Sequence, residues 1–249
     1  MKIFVDFDET LINSKKEVFR LSLFSKEEIS DLFDASMDIK FKKFELIRPY
    51  IKSAWHYNYI QKFLDSNQTI PSNYFEQLKQ NEKGDGDFEF FFFKLRHEAI
   101  KNNRQKWIDF FRPYPFGLAF SELIGRLKAY DQVNIITNRD YRSTKLITKL
   151  YFPELSHCKI LSLSEIGPLA NKFDVINNTL RLGDDDEFIF IDDNIEICLN
   201  FQRALLNKDN MKGQVFFAKW GNSFPTFNHE INQLARTPEE ILNFIRLNY

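Results

Sequence analysis

Asp6 and Asp8 stand at the end of Lys2-Ile3-Phe4-Val5, a short apolar and β-rich run. Such a run ending in two acids reads as a buried parallel strand with a charged C-terminal end. In open α/β sheets that end is where ligands bind. Phe7 separates the acids, so on a straight strand they share a face. Two neighbouring carboxylates repel, and burying them without a partner is costly. A cation relieves the cost, and oxygen ligands on a rigid turn suit Mg²⁺. The bland alternative is a strand that runs into a polar loop with both acids solvated. For a lone pair of acids at this spacing the bland alternative is preferred. Three further segments reverse that preference.

Ile135-Ile136-Thr137-Asn138 is a strand-like run that ends in a hydroxyl. Lys172 directly precedes an apolar helical segment and follows a Gly167-Pro168 loop signal. Phe188-Ile189-Phe190-Ile191 ends in Asp192-Asp193-Asn194. Together with Asp6-Phe7-Asp8-Glu9-Thr10-Leu11, these segments resemble the motifs of the haloacid dehalogenase-like phosphohydrolase superfamily, whose first motif is D-x-D-x-T-L. Each is weak alone; four in the family's order are specific. The resemblance covers 1–14 and 113–249, and the stretch between matches only in position and helical character.

The resemblance implies a doubly wound, parallel α/β core of Rossmann-like type over 1–14 and 113–249. It implies a mostly α-helical cap domain over 15–112, which sets substrate choice. The activity implied is Mg²⁺-dependent hydrolysis of a phosphomonoester through an aspartyl phosphate. Asp6 is then the nucleophile, and carboxylates are known covalent catalysts. Asp8 is the general acid and then the base, and its backbone carbonyl ligates the metal. Family members acting as phosphatases carry Asp at this second position, whereas the dehalogenases and ion-pumping ATPases do not. Thr137 and Asn138 bind the phosphate, and Lys172 offsets its charge and that of Asp6. Lys145 and Lys159 remain alternatives for that lysine. Asp192 ligates the metal, and Asp193 holds metal-bound water or Lys172. The run Asp184-Asp185-Asp186-Glu187 is a rival acidic cluster, but it precedes its strand and so belongs at the opposite sheet end. Arg139 is either a substrate contact or a solvated loop arginine.

The elements that position these residues follow from periodicity. Strands are expected at 133–137, 159–161, 188–191 and 215–218, alternating with helices, which means a parallel, doubly wound sheet. The helix over 121–130 turns Leu123, Ile124, Leu127 and Tyr130 inward. The helix over 141–151 carries Leu146, Ile147 and Leu150, that over 173–182 follows Lys172, and that over 195–206 carries Cys198, Leu199, Leu205 and Leu206 on one face. Thr237-Pro238-Glu239-Glu240 caps a last helix burying Ile241, Leu242 and Ile245. In the inserted stretch, Ser25-Lys26-Glu27-Glu28 is a capping box, Pro49 and Pro71 can each open a helix, and Lys83-Gly84-Asp85-Gly86-Asp87 is a loop. A long basic helix is expected from Phe88 to Trp107, with Phe91, Leu95 and Ile100 inward. Its Lys94, Arg96, His97, Lys101, Arg104 and Lys106 either face anionic substrate or nucleic acid, or form a solvated face. The solvated face is preferred.

Composition bounds the rest. A net charge of −1 over 249 residues makes no global case for nucleic-acid or membrane binding. A hydrophobic content of 43% supports a real core; 28 Phe against 8 Gly stand out, and no function is attached to them. Cys158 and Cys198 have no ligand partners near in sequence and read as buried free thiols. With an acid at position 6 the first strand cannot be a secretory apolar segment, so a cytoplasmic protein is expected. The partner expected is a small phosphorylated substrate, with no membrane; nucleic acid rests only on the basic helix, and the oligomer is left open. Rival readings are a phosphotransferase or phosphomutase, a nucleic-acid end phosphatase, and a non-catalytic binding module, the last opposed by the intact acids.

Overall fold

The computed structural model describes residues 1–23, 31–34, 38–51, 54–64, 86–166, 171–180, 187–206, 212–222 and 229–249. The chain divides into two compact units, Met1–Asn13 with Pro113–Tyr249, and Ser14–Arg112. The boundary falls one residue before that expected from the sequence.

The first unit is built on one sheet. Its strands are β1 (Lys2–Val5), β2 (Val133–Thr137), β3 (Lys159–Ser162), β4 (Phe188–Asp192), β5 (Gly213–Ala218) and β6 (Ala235–Arg236). Their spatial order is β3-β2-β1-β4-β5-β6, and every pairing is parallel. Helices cross between the strands, so the fold is doubly wound α/β. β1, β2 and β4 are buried along almost their whole length, as expected for strands covered on both faces. On one face Phe4, Ile136, Phe190 and Phe217 pack with Ile176, Cys198 and Phe201 from helices Lys172–Thr179 and Ile195–Leu206. The period-2 alternation sends Phe216 to the other face, where it meets Phe244 of helix Pro238–Asn248 edge-on.

The register matters for function. Val5 pairs with Ile135 on one side and Ile191 on the other. The chain winds from β1 to β2 and β3, then returns past β1 to β4, which creates a topological switch point. The residues just beyond Val5, and those ending β2 and β4, therefore gather at one edge of the sheet.

Several helices differ from the sequence expectation. The helix expected to reach Tyr130 spans Pro115–Leu127 and stops at Lys128, which is left-handed (φ 54°). Tyr130 lies in the following 3₁₀ turn and is half-buried. Pro115 occupies the first turn, where its missing N–H costs nothing. Leu206 is exposed and so leaves the face expected for it; like the exposed Leu150, it sits in the last turn of its helix. Thr237 makes the expected capping box with Glu240, and Ile241, Leu242 and Ile245 are buried.

Among the described residues, the second unit forms helices at Lys15–Leu23, Asp31–Asp34, Asp38–Ile47, Tyr57–Leu64 and Gly86–Ile108. Its core is aromatic. Phe19 meets Phe41 and Phe44 at 5.2 Å each, Phe44 stacks on Tyr57, and Tyr57 stacks on Phe92 at 5.1 Å. This is where many of the phenylalanines are spent. Pro49 opens only a 3₁₀ turn, Arg48–Tyr50. The long helix starts at Gly86 and breaks at Asn103 (φ −152°, ψ 74°), whose Oδ1 accepts from Lys106 N–H and so caps a new turn. Phe91 is exposed; Phe92, Leu95 and Ala99 take the inner face, with Ile100 half-buried. Arg96 of the expected basic face is buried on Glu17. The capping box at 25–28, the helix start at Pro71, the loop residues 83–85, Gly167-Pro168 and Asp184–Asp186 lie outside the described residues.

Candidate active site

β1 ends at Val5, and the chain turns at once. Leu11 and Ile12 N–H both donate to Phe7 carbonyl oxygen, and Glu9 N–H to Ile12 oxygen. Glu9 takes a left-handed backbone (φ 61°) that is uncommon without glycine. The turn is fixed from outside. Tyr114 donates its hydroxyl to Glu9 Oε2 at 2.9 Å and its N–H to Leu11 oxygen at 3.0 Å. Trp220 Nε1 donates to Thr10 oxygen at 3.0 Å. Gly221 packs so close that a Cβ there would stand 2.0 Å from Glu9 oxygen. The Trp-Gly pair after β5 is thus a clamp on the first motif.

Asp6 is buried at the end of β1, with its N–H bonded to Ile191 oxygen of β4. Lys172, the first residue of its helix, reaches back across the sheet edge. Its Nζ donates to Asp6 Oδ1 at 2.5 Å and to Asp192 Oδ2 at 2.6 Å. Asn171 caps this helix by accepting from Asp174 N–H, which sets where the lysine emerges. Lys145 instead contacts the Tyr141 hydroxyl, and Lys159 is exposed at the start of β3, the far end of a parallel strand. Neither is brought to Asp6.

Asp192 closes β4, and its Oδ1 accepts from Asn194 N–H at 2.7 Å. Asn194 Oδ1 then accepts from Glu196 and Ile197 N–H, capping the next helix. Asp193 accepts from Thr10 Oγ1 at 3.4 Å and from Asn222 Nδ2. Asp6, Asp192 and Asp193 are all buried, and each offers a carboxylate oxygen within 4.8 Å of the others. Three hard oxygen donors at one point, two of them bridged by one ammonium, fit a small divalent cation.

The electrostatics agree. Burial pushes the Asp6 carboxyl up to about 7; Lys172 opposes this, while Asp192 and Asp8 add to it. Burial works to lower Lys172, but Asp192 and Asp6 outweigh it and hold the ammonium charged. Burial raises the Cys198 thiol well above its usual range, so this free cysteine is inert packing.

Thr137 ends β2, buried, with its Oγ1 accepting from Arg139 N–H at 3.1 Å. Asn138 is half-buried in the same loop. The solvated-loop reading of Arg139 is corrected: its side chain is buried and forks onto Asp8, with Nε 3.0 and 3.1 Å from the two carboxylate oxygens. Asp140 then caps helix Tyr141–Tyr151 by accepting from Ser143 N–H. Tyr114, Asn222, Glu9 and Asn194 also support the site without a sequence signal that singled them out. Of the rival acidic run, the described Glu187 is exposed just before β4, at the opposite sheet end.

No family model and no curated protein matches this sequence. Solved structures match its fold over nearly the whole chain. A haloacid dehalogenase-like hydrolase from Streptococcus pneumoniae aligns with a TM-score of 0.52 at 16% identity, covering 98% of this chain and 97% of the other. A predicted phosphoglycolate phosphatase from Haemophilus somnus 129PT gives 0.55 at 16% identity, with the same coverage. A protein provisionally described as a β-phosphoglucomutase from Thermotoga maritima gives 0.52 at 9% identity, covering 99% of each. The chain therefore has the fold of the haloacid dehalogenase-like hydrolases. At such identities the likeness concerns the fold, and the chemistry must be argued from the site.

Proposed function

We propose that this protein is a Mg²⁺-dependent phosphatase that hydrolyses a phosphomonoester through an aspartyl phosphate on Asp6. One observation carries the reading: a lysine bridges two buried strand-end aspartates, a third carboxylate adjoins them, and the cluster lies at the switch point of this fold. Mg²⁺ held by Asp6, Asp192 and the Asp8 carbonyl, with Asp193 behind them, would supply charge neutralisation at the phosphate.

The chain's own residues do the rest. Lys172 holds Asp6 Oδ1, which leaves Oδ2 to attack phosphorus. Thr137 accepts from Arg139 N–H and keeps its hydroxyl hydrogen for a phosphate oxygen. Asn138, next in the loop, binds a second phosphate oxygen. Asp8 protonates the leaving oxygen and then takes the proton of the attacking water. These residues address only phosphate, so substrate choice is assigned to the inserted helical unit. Small phosphorylated metabolites are favoured over nucleic acid, because Arg96 of the basic helix is spent on Glu17 and Lys94 faces Glu98. A phosphotransferase or phosphomutase would share every step up to the phosphoenzyme and differ in the acceptor. A non-catalytic role is disfavoured by the complete set of acids.

The test is turnover of an aryl phosphate with and without Mg²⁺, followed by rapid quench. Asp6→Asn should form no phosphoenzyme. Asp8→Asn should release about one product per site and then stall, because water attack without a base loses about 10²–10⁴-fold. A burst from Asp6→Asn, or full activity of the wild type in excess chelator, would sink the reading. A screen of phosphorylated metabolites and nucleotides then finds the substrate.

A further inference from the structure

We infer that Arg139 is a positioning residue for Asp8, and that it sets the rate at which water releases phosphate from Asp6. The inference rests on the proposed function and adds to it a residue outside the acid, hydroxyl and lysine set.

Arg139 is 2% exposed and its side chain is closed off entirely. A guanidinium in such a place needs a counter-charge. Asp8 supplies it: Nε lies 3.0 and 3.1 Å from its two oxygens, and Nη2 lies 2.8 Å from Oδ1. A planar fork of donors fixes both the direction and the plane of a carboxylate, which a point charge on a flexible stem does not. The Asp8 side chain keeps 17% exposure while the guanidinium that holds it has none.

The arginine is itself fixed at its backbone. Its N–H donates to Thr137 Oγ1 at 3.1 Å, and its carbonyl accepts from Ser162 Oγ at 2.8 Å. Ser162 ends β3 opposite Thr137 in the register. The loop after β2 is thus pinned to β3, and the guanidinium reaches from that anchor to the loop after β1.

The consequence falls on one step. Water oxygen bonds to phosphorus, the bond from phosphorus to the Asp6 oxygen breaks and returns its electron pair to the carboxylate, and Asp8 takes the proton from water. A proton acceptor that wanders is out of place for this attack, and a displacement of about 1 Å can cost about 10²-fold. Attack by Asp6 on an aryl phosphate, whose leaving group needs little protonation, is less affected.

The experiment is pre-steady-state hydrolysis of p-nitrophenyl phosphate in saturating Mg²⁺, with acid quench to trap the phosphoenzyme. For Arg139→Gln we expect kcat lower by about 10²-fold, KM within about 3-fold, and accumulation of phospho-Asp6. Arg139→Lys keeps the charge without the fork and should lose about 10-fold in kcat. Ser162→Ala leaves both charges and should show the same pattern at a few-fold, which decides the matter if Arg139→Gln does not fold. Wild-type kcat in Arg139→Lys and Ser162→Ala, or a rise in KM at unchanged kcat, overturns the inference and leaves the phosphatase reading standing. Absence of turnover and phosphoenzyme in the wild type overturns both.

Discussion

Two buried ionic clusters in this chain differ in how their charges balance. In the helical unit Glu17 takes Arg96 Nε at 2.6 Å and Nη2 at 3.2 Å, and Trp107 Nε1 at 3.2 Å. Arg96 also lies over the rings of Phe92 and Phe93. One carboxylate meets a guanidinium fork, and both sit among aromatics. At the strand ends of the other unit, three carboxylates crowd together and Lys172 touches two of them. Both clusters are buried, so burial of charge does not separate a site from a strut. The number of carboxylates gathered at one point does: one in the first cluster, and three in the second, within reach of one small cation.

That contrast breaks most sharply on Asp6→Asn. It should abolish turnover, since no other carboxylate in the site is assigned to attack, and it should leave the metal-free protein as stable or more stable by removing one of three repelling acids. Thermal melts in chelator beside activity assays check both halves. If melting temperature falls as steeply as activity, Asp6 is a strut as well.

Glu17→Gln should behave in the opposite way. It neutralises the carboxylate that the buried Arg96 meets, and removing one partner of such a pair costs about 3–5 kcal/mol. Denaturant titration measures this. Activity of the remaining folded protein on a small aryl phosphate should be retained, because Glu17 has no assigned role in the chemistry.

The clusters also differ in their response to pH and metal. Asp6 is held up to about 7, against 3.8 for an ordinary aspartate, by burial first. Its folded-state affinity for a proton exceeds the unfolded one, so this contribution to stability is present below pH 4 and is lost as pH rises through 7. On the proposed function, Mg²⁺ would compete with that proton. The rise in melting temperature on adding Mg²⁺ should therefore be larger at pH 8 than at pH 5, as calorimetry would record. An equal rise at both would mean that the cation binds away from Asp6.

Trp107→Phe is the gentlest probe. It keeps the ring against Phe111 and removes one donor from Glu17, for a loss of about 1–2 kcal/mol in denaturant melts. A larger loss would show that Arg96 alone does not satisfy Glu17.

The strand ends were legible because three of their runs are unbroken apolar segments closed by Asp or Thr. The helix ends were legible where a cap is local, as at Thr237 with Glu240. The break at Asn103 was not, because a single Asn inside a helical pattern carries little weight until its side chain is seen capping Lys106. Leu206 was misassigned because periodicity places a residue on a face but not under a neighbour. Arg139 was left open between a substrate contact and a solvated loop residue for the same reason: a loop arginine is defined by what it meets.

The sequence by itself determined the alternation of elements and the edge at which the acids meet. Parallel strands point one way, so every motif that closes a strand must close it at the same end of the sheet. Tertiary structure decided which of three lysines serves Asp6, that Arg139 holds Asp8, and that Asn222 and Thr10 hold Asp193. The physical reason is separation along the chain. Lys172 and Asp6 are 166 residues apart, Arg139 and Asp8 131, and Thr10 and Asp193 183. Hydrophobic period reports on a residue's immediate neighbours, whereas a hydrogen-bond partner across the sheet is chosen only when the strands are laid side by side.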